Sequence, residues 1–334
     1  MQKAILITAI LVLGNLRVEA GIRDCLKQPD SWLSSAVGRK HIDNLLTYQD
    51  TRGCWPKNFD TTLKPFAGNP KDLKGTFDNG ATVNELRILA RAHNVTRKAQ
   101  YKTAFLKGLH CILDTQYSNG GWPQAPQPSG YQKHITFNDG TMIGLMTLLR
   151  EVFSDEQYGF VNKTLRGRAQ KAFELAIECI LACQITAKGK KTAWCAQHDM
   201  KTFIPRGARS YEHPSISGHE SAGITLLLMS IKRPSKQIQD SVRSAVQWFN
   251  DSQLNGIRIQ KTGDGDKQVV ADPKSAAMWA RFYEIDTNRP IFSGRDGVIQ
   301  YDVANIEAER RNGYSWYVKS GKQVLDQWQE YAWR

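Results

Sequence analysis

The sequence predicts an all-α fold, an α/α toroid: an incomplete (α/α)3 barrel of helical hairpin repeats with long loops and little β-structure. Three observations carry this expectation. Apolar residues recur at helical spacing almost throughout, no stretch keeps up period-two alternation, and a unit of helix, turn and Trp repeats along the chain.

The helices come first. Phe105, Leu109, Ile112 and Leu113 line one face, and Met142, Leu145, Met146 and Leu149 another. Phe173, Ile177, Ile180 and Leu181 repeat the pattern, as do Val242, Ala245, Val246 and Phe249. Each set spans two turns and marks a buried stripe.

The repeat comes next. Leu45–Gln49 leads to Gly53-Cys54-Trp55-Pro56, and Ile112–Gln116 leads to Gly120-Gly121-Trp122-Pro123. Ile180–Gln184 leads, after a longer insert, to Trp194. The Trp positions lie 67 and then 72 residues apart, room for two helices and two loops. Hairpins of that size stack as a solenoid or close into a toroid with a cleft at one end. The Trp side chains read either as caps on helix ends or as sugar-stacking faces in that cleft, Trp122 among them.

The chain has 334 residues, with Lys+Arg 45 against Asp+Glu 32, a formal charge of +13. A mean hydropathy of -0.47 excludes a polytopic membrane protein. A basic surface favours anionic partners: nucleic acid, anionic lipid or an acidic polysaccharide.

Met1–Ala20 reads as a secretory signal, with Lys3 as its charged start, Ala4–Leu13 as its apolar core and Val18-Glu19-Ala20 before the cut. Residues 21–334 then form a single domain, secreted to the extracellular or periplasmic space and bound to no membrane after cleavage. Nucleic acid is not expected as a partner: no RNP motif, zinc-finger spacing or Lys/Arg run is present. Six cysteines are too few for a disulfide framework. Cys111, Cys179 and Cys183 sit in helical patterns and read as buried thiols, while Cys54 and Cys195 flank Trp residues in loops, where a bridge is allowed. A monomer is the default.

Four polar segments stand at helix boundaries. Thr76–Thr82 holds Asp78 and Asn79 ahead of a helix, and His134–Gly140 holds His134, Asn138 and Asp139 ahead of another. Each Asp alone reads as an N-cap. Together they lie 61 residues apart, about one repeat, so one end of the toroid would present both. Carboxylates and Asn amides in one cleft form a hard-oxygen set suited to calcium. The other two segments are Arg206–Pro214, with Arg209, Tyr211, Glu212 and His213, and Asn288–Gly297, with Arg289 and Arg295. Arg in Gly/Pro loops facing an acidic cleft suits a carboxylate clamp. Zinc-hydrolase spacing, GxSxG, a P-loop and a strand-borne GxGxxG are missing from the sequence.

These segments resemble the family 10 polysaccharide lyases, the α/α-toroid pectate lyases. TFDNGAT (76–82), GGWPQ (120–124), HITFND (134–139), WCAQHD (194–199), RSYEHP (209–214) and the stretch from Trp279 to Gly297 carry the likeness, in order, over nearly the whole mature chain. The likeness implies calcium-assisted β-elimination on polygalacturonate, the de-esterified form of pectin. It implies Asp78 and Asp139 as calcium-holding acids and Arg209 as the base. Arg295 and Arg289 would be substrate cations, with Asn79, His134, Asn138 and Trp122 lining the substrate. One departure is Tyr131-Gln132-Lys133-His134, where a more acidic segment is expected. His134 and His213 are rival bases by their intrinsic pKa. Two other readings stand beside the lyase: an inverting glycosidase using Asp78 and Asp139, and a non-catalytic pectin-binding protein.

Overall fold

The computed structural model describes residues 21–334 apart from Asp264; the expected leader, Met1–Ala20, lies outside the described residues. Eleven α-helices are described: α1 (Ile22–Lys27), α2 (Asp30–Ser34), α3 (Ala36–Leu46), α4 (Val83–Thr96), α5 (Ala99–Thr115), α6 (Thr141–Ser154), α7 (Lys163–Cys183), α8 (Glu220–Met229), α9 (Lys236–Asp251), α10 (Ala308–Gly313) and α11 (Ser320–Glu330).

Three hairpins, α4–α5, α6–α7 and α8–α9, form an arc. The inner helices α4, α6 and α8 pack side by side, and so do the outer helices α5, α7 and α9. The short helices α1 to α3 pack on α4 at one end of the arc, and α11 packs on α8 and α9 at the other. The sequence explains the layering. Inner α8 carries Ile224, Leu227, Leu228 and Met229 with small or short polar residues between, and most of it is buried. Outer α9 buries a stripe from Ile238 through Val242, Ala245, Val246 and Phe249, and leaves charged residues outside. Side-chain caps start α3, α7 and α9: Ser35 accepts from Gly38 N–H at 3.0 Å, Asn162 from Leu165 N–H at 2.9 Å and Ser235 from Ile238 N–H at 3.3 Å.

Each repeat is locked by the same two bonds. The buried indoles of Trp55, Trp122, Trp194 and Trp279 donate to the helix-end carbonyls of Leu45, Ile112, Ile180 and Phe249, at 2.8–2.9 Å. Helix-terminal Gln49 donates to Gly53 O at 2.9 Å and to Ala104 O on the next outer helix at 2.8 Å. Gln116 does the same to Gly120 and Ala172, and Gln184 to Thr192 and Ser241. The turn glycines allow this approach. Gly53 and Gly120 have φ of 107° and 89°, and a Cβ there would lie 2.6 Å from Lys107 O and 2.1 Å from Leu175 O.

Trp122 therefore belongs to the core, not to a sugar cleft: it is fully buried, and its polar edge is spent on Ile112. The bridge that the sequence allows between Cys54 and Cys195 does not form. Cys54 Sγ lies 2.7 Å from Cys111 Sγ, while Cys195 Sγ faces the carbonyl of Arg206.

Among the described residues β-structure is confined to one sheet of three two-residue strands (Ile135–Thr136, Gln197–His198 and Pro205–Arg206), short two-stranded pairs, and one longer hairpin, Ile257–Lys261 with Lys267–Ala271. That hairpin was missed because both its strands are only half buried, so period-two contrast is weak. Beside the main core, a smaller cluster of Ala196, Tyr211, Phe282, Ile291, Phe292, Val303, Ile306 and Trp316 packs the loops over one end of the helices. No described helix is long and apolar enough to cross a membrane.

Candidate active site

The two acidic segments fold as twin turns that pack against each other ahead of α4 and α6. Thr76-Phe77-Asp78-Asn79-Gly80 and Thr136-Phe137-Asn138-Asp139-Gly140 match at an offset of 60 residues, with Asp and Asn exchanged. In both, the fourth residue is left-handed, Asn79 at φ 56° and Asp139 at φ 50°, and a positive-φ Gly follows. The two acids are thus not repeat equivalents. Asp78 matches buried Asn138, and Asp139 matches the exposed Asn79.

The environments follow from that offset. Asp78 is 2% exposed; its Oδ2 pairs with Lys57 Nζ, and its Oδ1 has no hydrogen-bond partner. Asp139 opens into a cleft of about 570 Å³ whose lining includes Asn79, Asn84, His219 and Arg23. Asn138 Nδ2 donates to Asp139 Oδ2 at 2.8 Å.

A buried guanidinium joins the turns to the rest of the site. Arg281 Nη2 donates to Asp139 Oδ1 at 3.1 Å, Glu220 Oε1 at 3.0 Å and Asn138 Oδ1 at 3.2 Å. Glu220 is itself buried and accepts from Ser217 Oγ and, at 3.3 Å, from Asp139 N–H. Burial works against the charge on Arg281, but the carboxylates of Glu220 and Asp139 outweigh it and raise its proton affinity.

Tyr314 connects this group to Arg209. The Arg281 Cζ sits 4.8 Å from the Tyr314 ring centroid, and the Arg209 Cζ 5.6 Å from the same ring. Arg209 also stacks on Tyr211 at 4.9 Å. Its Nε and Nη2 form a two-pronged bridge to Glu212, whose Oε1 also accepts from Tyr314 Oη at 2.7 Å. The bonds from Glu212 push the Arg209 proton affinity up. Burial pushes the Glu212 carboxyl the other way, but Arg209 and Tyr314 win and hold it below the usual range.

The structure thus links Asn138, Asp139 and Arg209 through Arg281 and Tyr314, while Asp78 and Asn79 stand in the turn packed beside them. Arg295 borders it: Ser210 Oγ donates to its carbonyl at 2.9 Å, while its guanidinium is bound to Glu309 by two 2.9 Å bonds. Arg289 stacks on Tyr301 at 3.7 Å and has no contact with either Asp. His134 stands beside the Asp199–Arg206 pair, and burial lowers its pKa. His213 meets Ser293 Oγ at 3.1 Å. Neither His touches Asp78 or Asp139.

Sequence reasoning missed Lys57, Glu220, Arg281 and Tyr314. Lys57 follows the Trp55-Pro56 turn, and Glu220 starts α8 as the third inner helix, so the repeat was a usable signal for both. Arg281 and Tyr314 had none, because only the folded C-terminal loops bring them to the acidic turns.

A cation could use this chemistry only in part from protein. Among the described residues no three His, Cys, Asp or Glu side chains gather into a cage. Two carboxylates remain, one with a buried oxygen lacking a partner, and that fits a hard cation whose shell is completed from outside.

Residues 39–325 match the family model for pectic acid lyase. No curated protein matches. The structure is similar to that of the family 10 polysaccharide lyase from Cellvibrio cellulosa, with TM-score 0.83, 32% identity, and coverage of 94% of this chain and 95% of that one. It is equally similar to a point mutant of that lyase in complex with trigalacturonic acid, with TM-score 0.82, 32% identity, and coverage of 93% and 96%. A family model spanning most of the chain and a fold shared over nearly all of it agree: the chain belongs to the pectic acid lyases, family 10 of the polysaccharide lyases.

Proposed function

We propose that this lyase is secreted and cleaves polygalacturonate by anti-β-elimination, with Arg209 taking the C5 proton. The observation that carries this is the chain of contacts from Arg209 through Tyr314 to Arg281 and Asp139. It sets a basic group beside the acidic cleft, where a uronate carboxylate would be held.

In the reaction the C5–H bond breaks and its proton goes to Arg209. The electron pair forms the C4=C5 double bond, the C4–O4 bond breaks, and the departing O4 takes a proton. Asp78 and Asp139 would hold calcium, which supplies Lewis-acid neutralisation of the substrate carboxylate. Arg281 fixes Asp139 in place, and Lys57 does the same for Asp78. Glu212 orients the Arg209 guanidinium. In the resting enzyme it also favours the protonated form, so Arg209 must lose a proton before it can act. Positive charge brought in by substrate-bound metal would favour that loss. The complex of a mutant family 10 polysaccharide lyase with trigalacturonic acid supports the substrate class.

The test is an absorbance assay on polygalacturonate at alkaline pH, with calcium or with chelator. An unsaturated, UV-absorbing product that disappears with chelator is expected. Reducing ends without that absorbance would show hydrolysis, and binding without either would show a non-catalytic protein.

A further inference from the structure

Next to the twin turns, Lys57, the partner of Asp78, lines a second hollow, of about 490 Å³, together with Arg52, Lys74, Pro126, Gln127 and Gln132. At its base Asp50 is buried, and its carboxylate accepts from four backbone N–H groups: Arg52 at 2.9 Å, Gly53 at 2.8 Å, Cys54 at 2.9 Å and Gly75 at 2.9 Å. Those donors occupy both oxygens, so Asp50 forms no ion pair with the cations around it. Among the described residues Arg52 forms no ion pair and meets a neutral group, the Gln127 amide oxygen, through Nε and Nη2 at 2.9 Å each. Lys74 is exposed and forms no ion pair among the described residues.

Two cations without acidic partners thus stand beside an acid already saturated by backbone. Pro126 adds apolar surface, and Gln127 and Gln132 add amides, a mixture that suits a hydroxylated ring. The same hollow shares Lys57 with the Asp78 turn, so a chain lying along the acidic cleft would run into it.

We propose that this hollow is an outer subsite that grips a uronate of the same polysaccharide, away from the bond that breaks. Arg52 and Lys74 take its carboxylate, and the glutamines its hydroxyls. The inference rests on the polyuronate reading above, and it names residues that set affinity for long chains. Contacts made equally in ground and transition state lower KM without changing kcat.

The test uses the full chain with Arg52→Ala and Lys74→Ala combined. Electrophoresis through gels containing polygalacturonate should retard the wild type, and the double variant about tenfold less strongly in apparent Kd. Kinetics should show KM on polygalacturonate up by about tenfold with kcat within about twofold, and a narrower gap between KM on the polymer and on trigalacturonate. Arg52→Lys with Lys74→Arg keeps both charges and should keep the retardation. Equal retardation of wild type and double-alanine variant overturns the subsite, as does a fall in kcat with KM unchanged. The gel needs no turnover. A wild type retarded by polygalacturonate that releases no UV-absorbing product refutes the lyase reading, while the double variant still decides the subsite. A wild type that binds no polyuronate overturns both.

Discussion

Arg209 donates to Glu212 through both Nε and Nη2, at 2.8 Å and 2.5 Å. A two-pronged bridge orients the guanidinium, and it also stabilises its proton. The proposed base is therefore locked in its inactive form until the local charge changes. Two consequences follow for pH. Wild-type kcat/KM should climb without a break from neutral pH to about pH 10, because the neutral fraction of Arg rises tenfold per unit. Glu212→Gln removes the charge that raises the proton affinity. Its alkaline limb should move to lower pH while its maximal rate falls, since orientation is weakened. A pH–rate profile of both proteins checks this, and a limb that stays put or moves up would exclude Arg209 as the base.

Asp78 and Asp139 differ in burial, and their variants should differ accordingly. Asp78→Asn keeps the shape of a buried residue but removes the charge facing Lys57. Asp139→Asn frees one contact of Arg281, which keeps Glu220. Each should raise the calcium concentration needed for half-maximal activity by at least about tenfold, the loss expected on removing one charged ligand from a two-carboxylate set. A calcium titration of lyase activity, read beside thermal unfolding, separates ligand loss from misfolding. An unchanged calcium requirement in both variants would remove the metal role from these turns.

Much of this was legible in the chain, for physical reasons that can be named. Helical periodicity exposed the hairpins because each inner and outer helix buries one stripe, as α9 does. The Gly–Trp repeat exposed the units, because the same indole-to-carbonyl lock recurs at Trp55, Trp122 and Trp194. The role of those Trp residues did not follow from their position, since a core lock and a cleft wall look alike in sequence. Arg281 was hidden for another reason. Its partners Asp139 and Glu220 are 142 and 61 residues away, and no local pattern marks a contact made that late in the chain.

Arg281 should matter for stability as much as for activity. It is 6% exposed and is the cationic partner of buried Glu220. Breaking a buried pair by removing one partner typically costs about 3–5 kcal/mol, because the other charge stays buried. Arg281→Met should lower the unfolding midpoint strongly in urea. Adding Glu220→Leu should recover part of the loss, since the stranded charge is then gone. A double variant no more stable than Arg281→Met would show that Glu220 is not the stranded group.

Trp122 offers the opposite contrast. Trp122→Phe keeps an aromatic ring in the core but leaves the Ile112 carbonyl without its indole donor. A cost of about 1–3 kcal/mol is expected from the unpaired buried group. KM for polygalacturonate should stay within about twofold, because the ring faces no cleft. Chemical denaturation with parallel kinetics checks both halves. A large rise in KM at unchanged stability would return Trp122 to the substrate site.

Glu85 sets how stability responds to pH. It is 3% exposed in the first turn of α4, one of its oxygens has no partner, and burial pushes its carboxyl up to about 7 against weak opposition from backbone N–H groups. Below its ordinary value of 4.5, folded and unfolded states are both protonated, and Glu85 adds no pH dependence. Between 4.5 and about 7 the unfolded chain releases its proton while the folded chain keeps it. The folded state then binds more protons, so stability falls as pH rises through that window. Above it both states are ionised and the full penalty remains, of the order of 3 kcal/mol. Under the Arg209-base mechanism proposed above, the enzyme would carry this penalty in the alkaline range where its activity is expected to rise. Glu85→Gln removes the charge and keeps the shape. It should raise unfolding free energy at about pH 8 by an amount approaching that penalty, with little change at about pH 4. Urea unfolding of both proteins across the range measures the difference. A variant gain that is the same at both ends would show that folded and unfolded chains bind the same protons at Glu85, and that burial does not raise its pKa.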